Sequence, residues 1–190
     1  MSAGAKPIMP APTCPEYYGY ALSHIHDSGF AQVADAAADV LIATLGDDGG
    51  QGDTVTDLGC GSGVLAGRLR GIRGYRVEGI DQSAAMLSLA RQRAPDGGFR
   101  QESLFDAKIA PPIAVTAIGE CFNYLFDQEN DASALSCVLR RACAALPAGG
   151  LLLFDVATPD RADTTGRHFH RDDGWVVFGF KRPPMPRALL

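Results

Sequence analysis

The sequence predicts an α/β fold in which a parallel β-sheet carries helices on both faces, with a hairpin near the C-terminus. Three observations predict it. A short apolar strand, Thr54 to Leu58, runs directly into Gly59-Cys60-Gly61-Ser62-Gly63 and then into a helical stretch. Strand-like and helix-like segments alternate from there to Val156, as parallel strands joined by crossover helices require. The composition is that of an ordinary globular chain of 190 residues, 46% hydrophobic and 21% charged. Such a chain can bury a core in one domain without disulfide or metal staples.

The elements follow in order. Residues 1–16 carry four prolines and no apolar run of secretory length, and read as a disordered lead-in. Order is expected from Tyr17. Phe30, Val33, Ala37, Val40, Leu41 and Thr44 recur at helical spacing, with Asp27 or Ser28 placed to cap that helix and Gly46 to end it. The acidic, glycine-rich stretch Gly46 to Gly52 is a loop. Thr54–Leu58 is the first strand, Val64–Arg70 a helix, and Tyr75–Ile80 a second strand with Asp81 at its end. Ser83–Ala94 is a helix stopped by Pro95, and Phe99–Leu104 and Ala114–Ile118 are the third and fourth strands. Ala134, Leu135, Val138, Leu139, Ala142 and Leu146 mark a further amphipathic helix, ended by Pro147-Ala148-Gly149-Gly150. The continuous apolar run Leu151–Phe154 is expected of a strand buried on both faces, with Asp155 at its carboxyl end. Beyond it, Asp173-Gly174 between His168–Arg171 and Trp175–Phe178 signals a hairpin, and three prolines in Arg182–Leu190 exclude a long helix. The domain division is thus 1–16 lead-in, 17–156 main domain, and 157–190 hairpin with a Pro-rich tail.

Charge and cysteine content narrow the function classes. The net charge is −5 and the basic residues are scattered, which disfavours nucleic acid as a partner. The longest unbroken apolar run, Ala142–Leu146, is five residues, against the ~20 a membrane span needs, so no membrane partner is expected and the location reads as cytoplasmic. The five cysteines are odd in number and form no C-x-x-C pair, so most are expected as small core residues in a reducing compartment. His24/His26 and His168/His170 form two H-x-H pairs, which bind metal on one face only if both lie in strands. No acidic or cysteine ligand is in register with them, and no metal is expected.

The glycine loop is where chemistry is expected. Its glycines let backbone approach a ligand closely, and the helix that follows offers unpaired N–H groups. Asp57 lies two residues before Gly59, at the carboxyl end of the strand, where it can face the ammonium or sulfonium of a cationic ligand and would repel a pyrophosphate. Asp81, 22 residues after Gly59, can accept both hydroxyls of a ribose. Gly61-Ser62-Gly63-Val64-Leu65-Ala66 also satisfies the G-x-G-x-x-A dinucleotide pattern, so an NAD-dependent Rossmann oxidoreductase stands as an alternative reading of the residues.

Asp57-Leu58-Gly59-Cys60-Gly61-Ser62-Gly63 together with Val77-Glu78-Gly79-Ile80-Asp81 resembles the first two motifs of the class I S-adenosylmethionine (SAM) dependent methyltransferases. Gly119-Glu120-Cys121-Phe122-Asn123-Tyr124 looks like the loop after the fourth strand in bacterial small-molecule members. Leu146-Pro147-Ala148-Gly149-Gly150-Leu151 looks like the turn into the fifth, and Tyr17–Phe30 is similar to the family's N-terminal cap segment. The resemblance spans Tyr17 to Asp155. It implies a Rossmann-like sheet of seven strands in the order 3-2-1-4-5-7-6, with SAM across the carboxyl ends of strands 1, 2 and 4. Asp57, Gly59, Gly61 and Gly63 would hold the methionine part, Asp81 the ribose, Gln82 the adenine side, and Glu120 would line the pocket. Where many members carry an Asp near the adenine amino group this chain has Ser103-Leu104, so adenine contact falls to these positions or to backbone. Tyr17, Asn123 and Tyr124 are candidates to line the acceptor site.

The expected activity is methyl transfer from SAM to an N, O or C atom of a small soluble acceptor. The methyl group arrives activated, so alignment and exclusion of water are the main tasks. If a proton must be removed, Glu120, His24 and His26 are the candidate bases. The alternative of a different class is a catalytically weak or inactive module that binds SAM or a partner protein, because only 35 residues follow Asp155 and the family's sixth and seventh strands are not recognisable in them. That shortfall exposes the outer edge of the Leu151–Val156 strand. The expectation is that the hairpin folds back over the edge, that the chain self-associates through it, or that the chain is poorly soluble.

Overall fold

The five strands of the main sheet form where apolar and β-branched residues cluster between turn signals. A computed structural model describes residues 19–29, 31–45, 52–73, 75–124, 130–157, 167–172 and 175–180. Its elements are α1 (Tyr20–Gly29), α2 (Gln32–Leu45), β1 (Thr54–Leu58), α3 (Val64–Arg73), β2 (Arg76–Asp81), α4 (Ala84–Arg93), β3 (Gly98–Gln101), β4 (Ala114–Ala117), a 3-10 turn (Cys121–Asn123), α5 (Ala132–Ala145), β5 (Leu151–Phe154), β6 (Arg167–Asp172) and β7 (Trp175–Phe180). The expected lead-in 1–16, Tyr17, Phe30, the turn Asp173-Gly174 and the tail from residue 181 lie outside the described residues.

β1 to β5 form one parallel sheet in the order β3-β2-β1-β4-β5, as the resemblance implies for the first five strands. The strand order reverses at β1, between β2 and β4, and a crevice at the carboxyl ends of strands is expected there. Alternation along the strands divides the core in two. Val55, Val77, Ala114, Leu151 and Leu153 join α2 and α3 on one face, while Leu58, Ile80, Val115, Ala117 and Leu152 join α5 and Phe105 on the other. Helix starts obey local chemistry. Ser83 caps α4 by accepting from the Met86 N–H (3.1 Å), and Asp131 caps α5 by accepting from the Ala134 N–H (2.7 Å), each stabilising its helix by about 1 kcal/mol.

Four expectations are corrected. Asp27 and Ser28 do not cap the second helix, because they lie inside α1, a helix absent from the expected elements. On α2 the buried stripe is Ala37, Ala38 and Leu41, whereas Val33 and Val40 are each 53% exposed; small alanines rather than the β-branched residues face the sheet. Leu151–Phe154 is only partly covered and Phe154 is 39% exposed, because β5 is an edge strand. The hairpin does form, with Arg167 opposite Phe180 and Asp172 opposite Trp175, but as a separate two-stranded sheet. It is not paired with β5, whose outer edge has no strand partner among the described residues. Among those residues no single helix is long and apolar enough to cross a membrane.

Candidate functional site

The glycine loop after β1 is locked before any ligand is considered. The N–H groups of Gly59 and Cys60 both donate to the Ile80 carbonyl (2.7 and 3.0 Å), and the Gly61 N–H donates to Asp81 Oδ2 (2.9 Å). Asp81 Oδ1 in turn accepts from the Ser83 N–H at the start of α4 (2.8 Å). Asp81 therefore joins the glycine loop to the next helix. Burial pushes its carboxyl above the usual carboxylate range, and the backbone N–H groups of Ser83, Gly61 and Gln82 oppose that rise. Of the about four acceptor sites of a carboxylate, these three N–H groups leave about one for a further donor.

The three loop glycines have different physical reasons. All have positive φ (Gly59 +73°, Gly61 +53°, Gly63 +73°), a region that costs other L-residues about 1–2 kcal/mol. A Cβ on Gly59 would lie 2.5 Å from the Cys121 Sγ, and one on Gly63 would lie 2.9 Å from the Ala90 Cα, in the α3–α4 contact. A Cβ on Gly61 meets nothing within 4 Å. It faces open space, and Gly61 lines two adjoining cavities at the carboxyl ends of the strands.

The first cavity is walled by Gly59, Gly61, Asp81, Gln82, Met86, Glu102, Leu104 and Phe105. The second runs along the loop toward α2 and includes Ser62, Val64, Glu120 and Asp155. His26, Ile118, Gly119 and Tyr124 line both. Glu120 sits in the left-handed region at φ +58°. Asp155 at the end of β5 fixes this bend by accepting from the N–H groups of Gly119 (2.8 Å) and Glu120 (3.0 Å). On the opposite wall Arg141 of α5 donates to the carbonyls of Leu104 (3.0 Å) and Phe105 (2.8 Å), holding the loop after β3.

Of the residues singled out in the sequence, Gly59, Gly61, Asp81, Gln82, Leu104, Glu120, His26 and Tyr124 come together on these walls. Others do not. Asp57 is buried beneath the loop, where the Thr116 hydroxyl donates to its Oδ1 (2.6 Å). Gly63 serves the packing of α3 on α4, and Ser103 Oγ accepts from the Phe105 N–H (3.1 Å), shaping its own loop. Asn123 is a tether, exchanging two hydrogen bonds with the Ala157 backbone (2.8 and 3.3 Å). His24 is exposed and lines neither cavity; two residues apart on a helix, His24 and His26 point in opposing directions, which also removes the one-face reading of that H-x-H pair. Among the described residues no metal-binding cluster is present. Met86, Glu102, Phe105, Ile118, Gly119, Cys121 and Asp155 were missed as wall residues. Glu102 and Asp155 follow β3 and β5 immediately, and that carboxyl-end position was the signal available for both.

Electrostatics set the protonation of the buried groups. Burial pushes the Asp57 carboxyl up to about 7, with the Thr116 hydrogen bond opposing and the Asp81 charge assisting. Burial, reinforced by those two carboxylates, also pushes the Cys60 and Cys121 thiols up, which leaves neither as a thiolate nucleophile. Burial lowers the His26 imidazole below its usual value, against the pull of Asp27, so the ring is neutral near pH 7. A stability prediction follows for Asp57. Its folded pKa is raised above the unfolded value, so its stabilising contribution is complete below pH ~4 and is lost as pH rises toward 7, by on the order of 4 kcal/mol. Denaturant unfolding of the ligand-free protein from pH 5 to 8 should show stability falling with pH, and a flatter profile in Asp57→Asn. Equal slopes in the two proteins would contradict the burial assigned to this carboxyl.

Residues 50–172 match a family model described as a methyltransferase domain. The chain belongs to that family. It is a class I SAM-dependent methyltransferase domain, for which SAM is the implied cosubstrate, and the dinucleotide alternative is set aside. Solved structures share the fold. DesVI of Streptomyces venezuelae is 21% identical with a TM-score of 0.63, the match covering 86% of this chain and 67% of that one. The sugar N-methyltransferase KedS8 from Streptoalloteichus sp. is 19% identical (TM-score 0.63, 94% of this chain and 69% of that one). CalS10, an amino pentose methyltransferase from Micromonospora echinaspora solved with SAM bound, is 22% identical (TM-score 0.61, 90% and 70%). No curated protein sequence matches the chain.

Proposed function

We propose that this methyltransferase domain transfers the methyl group of SAM to the nitrogen of a small amine, and that the acidic character of its cavity walls selects both reactants. The observation that carries this reading is charge. Asp81, Glu120 and Asp155 line the two cavities, together with Glu102, which is ion-paired with Arg100, and no lysine or arginine lines either among the described residues. A surface of one sign in a concave, partly desolvated site raises the local concentration of the opposite charge. That favours a sulfonium cation and a protonated amine over anionic acceptors. Two solved proteins of the same fold are named as a sugar N-methyltransferase and an amino pentose methyltransferase, which agrees with an amine acceptor.

In this reading residues 17–156 form the SAM-binding domain. Asp81, at the carboxyl end of β2, takes the ribose hydroxyls. Gly59 and Gly61 leave room for the methionine part, with Gly63 and Asp57 supporting the loop from beneath. Gln82, Met86, Leu104 and Phe105 enclose the adenine, and Ser103 shapes that wall. SAM supplies a methyl carbon already activated by its sulfonium. The amine lone pair forms the new N–C bond as the C–S bond breaks, leaving S-adenosylhomocysteine (SAH). Neutral His26 takes the proton an ammonium acceptor must lose before it can attack, and Glu120 and Tyr124 orient the acceptor. The fit of the cofactor rests on Gly61, whose missing side chain leaves the space between the two cavities open.

Calorimetric titration with SAM and SAH, then mass spectrometry of a panel of small amines and amino sugars for the gain of one methyl group, tests this reading. His26→Gln should lower turnover about 100-fold, a typical general-base contribution, while leaving SAM affinity within twofold. SAM binding without a methylated product from any amine would favour a binding module instead.

A further inference from the structure

Helix α1 lies against α4 and brings His26 to both cavities, yet little apolar packing holds it there. Its buried residues are Ser23 and Gly29, while Tyr20 is 84% and Leu22 38% exposed. The polar contact next to His26 is of another kind. Asp27 lies 2.8 Å from Arg93 Nη1, the last residue of α4, with side chains only 19% and 34% exposed. The same Nη1 donates to the Ser62 carbonyl (2.6 Å) and to Ser62 Oγ (3.0 Å). Ser62 stands between Gly61 and Gly63, so one guanidinium joins α1, the glycine loop and α4.

Arg93 is also seated by the chain around it. A Cβ on Gly67 of α3 would come within 2.8 Å of the Arg93 Cγ and 3.0 Å of its Cδ. The missing side chain at Gly67 is therefore a notch in which the arginine stem lies. Burial raises the Asp27 carboxyl, but the neighbouring Arg93 guanidinium and Ser62 outweigh it and hold the group below its usual range. The contact is consequently an ion pair near neutral pH. By contrast, Arg68–Asp39 and Arg70–Asp96 are solvent-exposed pairs on the outer surface, of the type that contributes little.

We infer that Asp27 and Arg93 are positioning residues: their ion pair clamps α1 onto the glycine loop and sets His26 over the site, so that docking of α1 and binding of the cofactor are one coupled equilibrium. The inference rests on the proposed function for the identity of the ligand. It does not rest on it for the clamp. Arg93 shapes the loop as well as holding α1, whereas Asp27 contributes to the clamp from the α1 side, so Asp27 is the residue to vary.

The test uses the full chain and SAH as the probe. Hydrogen exchange at the α1 amides is measured with and without SAH for the parent, Asp27→Asn and Asp27→Glu, with the β1 and β4 amides as the internal control. Asp27→Asn should accelerate α1 exchange at least tenfold in the free protein, leave β1 and β4 unchanged, and weaken SAH binding about tenfold. Asp27→Glu should recover most of both effects, since it restores the charge. Unchanged α1 exchange in Asp27→Asn would overturn the clamp, and so would equal acceleration of α1 and the sheet, which marks a merely structural residue. Accelerated α1 exchange with unaltered SAH affinity would overturn the coupling. If the parent fails to bind SAH, the proposed function fails, while exchange in the free protein still decides the clamp.

Discussion

Asp81→Ala is expected to weaken SAM binding about 30-fold or more, equivalent to about 2 kcal/mol, without unfolding the domain. In the proposed function the carboxylate accepts both ribose hydroxyls, and hydrogen bonds to a charged acceptor are the strong ones. Its effect is enlarged by a second role. The same oxygens accept from the N–H groups of Gly61 and Ser83, so alanine also releases the glycine loop from α4. Asp81→Asn keeps one acceptor oxygen and should fall between parent and alanine. Calorimetry with SAM, beside thermal unfolding, separates the two losses. A folded Asp81→Ala that binds SAM as the parent does would remove the ribose role.

The second large effect divides two glycines that look equivalent in the sequence. Gly63→Val should destabilise the fold by at least ~3 kcal/mol, because positive φ is costly for a β-branched residue and the new side chain would overlap the Ala90 backbone. That is a large part of a typical total of 5–15 kcal/mol. Gly61→Val has the same backbone penalty and no such clash. It should yield a folded protein that binds SAM at least ~100-fold more weakly, since its side chain enters the space between the cavities. Denaturant unfolding and SAM titration of both variants should show opposite signatures. Parental SAM affinity in the folded Gly61→Val would mean that this loop does not cradle the cofactor.

β1, the glycine loop and Asp81 were legible because a strand, a tight turn and a helix start are each dictated by residues within a few positions of one another. The expected β2, α4 and α5 agree with the structure to within a residue or two for the same reason. α1 was not legible. His24, His26 and Asp27 interrupt its apolar pattern, and its buried positions are Ser23 and Gly29, which no hydrophobic period reveals. The exposed Val33 and Val40 on α2 show the converse, since the valines fit the period while the alanines made the contact.

The sequence by itself determined the class of fold, the five-strand order through its resemblance, and the position of the glycine loop with its two flanking acids. Only the tertiary structure decided what those acids do. Asp57 and Asp81 are both carboxylates at strand ends, yet one meets Thr116, 59 residues away, and is buried, while the other meets its ligands in the adjoining loop and lines the cavity. Arg93 likewise reaches Ser62 and Asp27, 31 and 66 residues back along the chain. Local conformation depends on neighbours in sequence. The partner of a long side chain depends on which strands and helices are packed side by side, and that is set by burial of the whole core rather than by spacing along the chain.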